Sequence, residues 1–138
     1  MNCRWGWMVG GLVSLALLLA GGVVILAQEP RWNPAYFTPV HQEKYATVES
    51  AFREYVAALG ETDPALYNEV LGYESSLPEE NFPLYRGPTP RIEELKIKGN
   101  WAFVWTDNRW ECYFRRVQGR WVFWPEDWRV LIRWGLVW

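Results

Sequence analysis

An α+β fold, in which helices come first and pack on a curled antiparallel sheet, is predicted by three features of the sequence. Apolar side chains recur every three or four residues over positions 41–60 and every second residue over 92–124, and the second region is cut by the pairs GN, DN and QG. The first spacing gathers apolar groups on one stripe of a helix; the second belongs to strands with one buried face. Short turn-forming pairs between such strands are the connections of an antiparallel meander. Helices that precede the strands, and do not alternate with them, pack together across the sheet.

The chain has 138 residues, 50% hydrophobic and 22% charged, which supplies one domain with a core and leaves no room for a second. Aromatic residues make up 17%, with eleven tryptophans, far above ordinary usage. A net charge of -2 lacks the basic face that neutralising phosphates requires, so no nucleic-acid partner is expected. Cys3 and Cys112 are the two thiols, and Cys3 precedes the folded region, so no internal disulfide is expected. No cofactor and no metal cluster is predicted.

Taken in order, residues 1–27 form a transmembrane anchor or a signal peptide. Trp5 to Ala27 carries no charge, and its 23 residues at about 1.5 Å each would span a hydrocarbon core of about 30 Å. Arg4, the apolar stretch and the small residues Ala20, Gly22 and Ala27 also make the parts of a cleavable signal. A retained anchor is preferred, because Ile25 sits where a peptidase favours a small residue before an Ala27 cut. In both readings Arg4 and the amino terminus stay inside, so the rest is delivered outside the cytoplasm, at the cell envelope if anchored or secreted if cleaved.

Residues 28–39 hold three prolines and read as an extended linker. A domain over 40–127 follows. Its first helix gathers Tyr45, Val48, Phe52, Tyr55, Val56 and Leu59 on one stripe and stops at Gly60. Asp63 and Pro64 open a second, shorter helix bearing Leu66, Tyr67, Val70 and Leu71, which Gly72 closes. Residues 73–90, with four prolines, form a loop draped over the domain. The strands IEELKIK, NWAFVWT, RWECYFRRV and RWVFW come next. Residues 128–138 are a Trp-rich apolar tail, expected to pack on the domain as a further strand or cover at the outer sheet face, with a membrane-interface contact as the alternative.

FREYVAALGETDPALYNEVL, IKGNWAFVW and FRRVQGRWVF, spread over residues 42–126, resemble the NTF2-like superfamily, also called cystatin-like or SnoaL-like, and in particular its small membrane-anchored bacterial members. The resemblance implies helices and sheet enclosing a cone. The superfamily's isomerases, dehydratases and polyketide cyclases carry an Asp or His inside that cone, and this chain offers no His there.

His41, the single histidine, is expected to be a solvated or capping residue at the start of the first helix. Cys112 reads as a small buried hydrophobe. The acid pairs Glu79 and Glu80, Glu93 and Glu94, and Glu126 and Asp127 read as solvated surface, since adjacent strand residues point apart. Glu111, amid aromatic strands, requires a structural ion pair with Arg109, Arg115 or Arg120.

Register decides which rings share a face, because a slip of one residue exchanges every side chain. With a two-residue DN turn, Thr106 opposes Arg109, and Trp101, Phe103 and Trp105 join Trp110, Cys112, Phe114, Trp121 and Phe123 inside. With a three-residue loop Trp105 opposes Arg109, and Ala102 and Val104 take the inner face. A GN turn that sets Lys98 opposite Trp101 places Leu95 and Ile97 with Ala102 and Val104, which favours the longer loop. Trp101, Phe103, Trp105, Tyr113 and Trp124 then form an outer aromatic face larger than a monomer normally exposes, the candidate ligand or partner surface. Three functions follow in order: a non-catalytic association module bound by a second copy or an envelope protein, a binder of apolar or carbohydrate ligands through the cone or the Trp face, and an isomerase- or dehydratase-type enzyme only if a carboxylate enters the cone.

Overall fold

The computed structural model describes residues 29–125. The expected anchor or signal over 1–27 and the tail over 128–138 lie outside the described residues. Among the described residues no helix is long and apolar enough to cross a membrane. Glu29 to Trp32 belong to one unit, in which the Trp32 indole N–H donates to Glu29 Oε1 at 3.1 Å. From Asn33 onward the residues belong to a second unit, the α+β domain.

Three α-helices precede the sheet: α1 (Pro39–Lys44), α2 (Val48–Leu59) and α3 (Ala65–Leu71). The stripe predicted as one helix is therefore broken at Tyr45. Thr47 breaks it: its side chain accepts from the Ser50 amide at 3.1 Å and Ser50 Oγ accepts from the Thr47 amide at 3.3 Å, a reciprocal cap that starts α2 afresh. The stripe still faces inward, with Tyr45, Val48, Phe52, Val56 and Leu59 buried. The proline-rich stretch is not wholly extended either. It forms a 3-10 turn at Pro34–Tyr36, buries Phe37, and ties to the domain by the Asn33 amide on Gly72 O at 2.9 Å. Asp63 Oδ1 accepts from the Ala65 amide at 2.8 Å to open α3, and Gly72, at φ 85°, closes it in the left-handed conformation that glycine adopts without strain.

The sheet is antiparallel in the order β1 (Ile92–Lys98), β2 (Trp101–Thr106), β3 (Glu111–Val117), β4 (Arg120–Trp124). Lys98 opposes Trp101, so Leu95 and Ile97 share a face with Ala102 and Val104 as expected. Between β2 and β3 the faces are those of the longer loop, but the pairing differs by two residues: Trp105 opposes Glu111, not Arg109, and Ala102 opposes Phe114. The connection runs Asp107 to Trp110, with Arg109 at φ 69° and the Trp110 amide donating to Thr106 Oγ1 at 2.9 Å. α2 and α3 lie on the face carrying Ala102, Val104, Cys112, Phe114, Trp121 and Phe123, and these residues make one core with the helices.

Candidate functional site

Alternation along the strands puts all five candidate rings on the outer face, but not equally open. Phe103 opposes Tyr113 with ring centres 5.4 Å apart, and Trp101 meets Trp124 edge-on at 5.6 Å. The Arg115 guanidinium lies 5.6 Å from the Trp101 ring centre and 5.2 Å from that of Trp124, a cation held over two aromatic faces. Tyr113 and Trp124 are buried, as is Val122 opposite Arg115, whereas Trp101, Phe103 and Trp105 are half-buried. The expected five-ring patch is thus unequally open, with the stripe of Trp101, Phe103 and Trp105 on β2 more exposed than Tyr113 and Trp124. Beside the stripe, Glu94, Lys96 and Lys98 on β1 oppose Trp105, Phe103 and Trp101 and form an exposed charged margin.

On the opposite face, among the described residues, aromatic side chains from the helices pack against the sheet and the loop. Tyr55 from α2 stacks on Phe123 with centres 4.0 Å apart and meets Phe114 edge-on at 6.4 Å, while Tyr67 from α3 packs edge-on against Phe82 at 5.4 Å. Side chains occupy the space between helices and sheet. Among the described residues the buried polar or charged side chains are Thr106 and Arg120, so no carboxylate is buried there. Cys112 is buried in this core and burial pushes its thiol up to about 12, which suits an inert hydrophobe. Glu79, Glu80, Glu93 and Glu94 are exposed as expected, and Glu126 and Asp127 lie outside the described residues.

A polar cluster that sequence reasoning missed lies where α1, α3 and β4 meet. Glu69 of α3 accepts from Lys44 Nζ at 2.6 Å and from the Tyr45 hydroxyl at 2.5 Å, and His41 Nε2 stands 3.5 Å from its other oxygen. His41 Nδ1 is 2.7 Å from Thr38 Oγ1. His41, expected as a solvated or capping residue at this helix start, is half-buried beside the N-cap Thr38 and also meets Glu69, because α3 brings a carboxylate over α1. Burial alone would raise the Glu69 carboxyl, but hydrogen bonds from Lys44 and Tyr45 and the charges of Lys44 and His41 outweigh it and hold the group below its ordinary range. Thr38, His41 and Glu69 have the connectivity of a hydroxyl–imidazole–carboxylate relay. The carboxylate is, however, already engaged by Lys44 and Tyr45, and Thr38 is an exposed helix N-cap, so the arrangement fastens α1 to α3.

Arg120, expected as a partner for Glu111, is instead fully buried. It donates from Nη1 to Tyr36 O at 2.8 Å and from Nη2 to Val70 O at 3.1 Å. Among the described residues Glu111 is half-buried at the start of β3, opposite Trp105. Among the same residues no group of His, Cys, Asp or Glu could hold a metal ion. No known protein family, curated protein or solved structure matches the chain.

Proposed function

We propose that the chain is a non-catalytic, NTF2-like module held outside the cytoplasm at the cell envelope, and that it associates with another protein through the outer face of its sheet. One observation carries the association: Trp101, Phe103 and Trp105 form a half-exposed aromatic stripe bordered by the charged margin of Glu94, Lys96 and Lys98. An apolar centre with a polar rim is the anatomy of a protein interface, and aromatic anchors concentrate its binding energy. The helix-then-sheet order and the packing of α2 across the inner face support the NTF2-like reading, and the uncharged stretch from Trp5 to Ala27 supports the location. The packing of Tyr55 on Phe123 and Phe114 between helix and sheet favours association over a ligand held there.

Photo-crosslinking in intact membranes tests the proposal, with the photoreactive residue placed at Phe103 or Trp105 and, as the control, at Glu79 in the proline-rich loop. Discrete products of one mass are expected from positions 103 and 105 and none from 79; their mass distinguishes a second copy from another envelope protein. Loss of the products at both positions, together with retention of the chain on oligosaccharide matrices, would transfer the face to the carbohydrate reading.

A further inference from the structure

α2 and the loop after Leu84 form the walls of an open groove of about 450 Å³, lined by Arg53, Val56, Ala57 and Gly60 on one side and by Tyr85 and Arg86 on the other. The walls are fixed to each other. Leu59 O accepts from the Leu84 amide at 2.8 Å and from the Tyr85 amide at 2.9 Å. The Tyr85 hydroxyl donates to Pro88 O at 2.6 Å, and its ring meets Trp110 edge-on at 4.8 Å. Gly87 makes this fold-back possible, since a Cβ there would stand 2.2 Å from the Tyr85 hydroxyl.

Gly60, at φ -90°, uses none of the conformational freedom of glycine, and a Cβ there would meet nothing closer than Tyr85 O at 3.5 Å. Its missing side chain leaves the floor of the groove open without serving the backbone. The groove also carries two cations, Arg53 and Arg86. Lys44, Arg91 and Lys96 each have a carboxylate within 4.0 Å, whereas Arg53 and Arg86 have none among the described residues. The carbonyls at the C-terminal end of α2 are hydrogen-bonded, Ala57 O by the Gly60 amide, Ala58 O by the Glu61 amide and Leu59 O by the loop, but the helix dipole there still opposes an anion, which the two arginines must outweigh.

We propose that this groove binds an acidic peptide segment, with its carboxylates on Arg53 and Arg86 and its backbone laid over Gly60. An open groove would bury little of a small anion, while an extended chain can meet both arginines and leave at either end. Glu61, which also lines the groove, opposes such a ligand.

The test is fluorescence anisotropy of a labelled Glu-Ala peptide against the full chain in neutral detergent at low salt, with a Lys-Ala peptide as control. Saturable binding of the acidic peptide alone is expected, weakened about tenfold by Arg53→Gln or Arg86→Gln and tightened by Glu61→Gln. Gly60→Ala should weaken binding severalfold while the melting temperature holds or rises, a combination that unfolding cannot produce. Absence of saturable binding, equal binding of the Lys-Ala peptide, or an equal loss with Arg116→Gln on β3 would overturn the proposal.

Discussion

The guanidinium of Arg120 lies 3.9 Å from the centre of the Tyr45 ring, and both side chains are wholly buried. A buried cation is tolerable only when its donors are met. Here the carbonyls of Tyr36, Val70 and Trp121 accept from it and the ring face covers the remainder. Burial still lowers Arg120 to about 10, against the opposing pull of Tyr45 and Glu69. The Tyr45 hydroxyl is pushed above its ordinary range by burial and by its bond to Glu69.

Tyr45→Phe keeps the ring under Arg120 and removes only the hydroxyl donated to Glu69. It should cost about 1.5 to 3 kcal/mol, the worth of a hydrogen bond to a charged group. Urea unfolding measures the loss, and the same substitution in a Glu69→Gln background should cost clearly less.

Glu69 should also make the fold sensitive to acid. Its carboxyl is held low in the folded chain, so on acidification the unfolded chain takes up the proton first. Its contribution is complete above about pH 5, begins to fall near the ordinary glutamate value of about 4.3, and is lost as pH drops through the lower folded value. Stability measured between about pH 6 and pH 3 should fall less steeply in Glu69→Gln than in the parent. Parallel profiles would mean that Lys44 and Tyr45 do not hold the carboxylate in solution.

Thr47→Ala removes the acceptor that caps α2 and should cost about 1 kcal/mol, while Thr47→Ser should retain most of the parent's stability. Thermal unfolding followed by circular dichroism distinguishes the two.

The two faces of β2 should respond unequally to charge. Val104 is fully buried, so Val104→Lys should cost about 4 kcal/mol or more, whereas Phe103→Lys, on the half-open stripe, should cost about 1 kcal/mol. Comparable losses at both positions would contradict the register.

Strand faces were legible because Leu95 and Ile97 must share a side with Ala102 and Val104, and that parity survives a shift of two residues. The pairing itself was not. Arg109 holds a left-handed conformation usually given to Gly or Asn, and nothing in its side chain announces it. The break at Tyr45 had a signal, the spacing of Thr47 and Ser50, which the continuous apolar stripe masked. The Arg120 contacts had none, since Tyr36, Tyr45 and Val70 meet it only through tertiary packing. Membership of the outer face was readable for all five rings. Their unequal burial was not, because burial is set by tertiary packing and not by strand alternation.

The carbonyl of Leu59 closes α2 and receives both the Leu84 and Tyr85 amides. One peptide unit thus joins the fraying of a helix end to the release of a loop that is distant in sequence. Amides held by a shared acceptor become accessible to solvent deuterium in the same opening event. Leu84 and Tyr85 should therefore exchange at matching rates, which both change when the last turn of α2 is loosened, so the loop inherits the lifetime of the helix on which it rests.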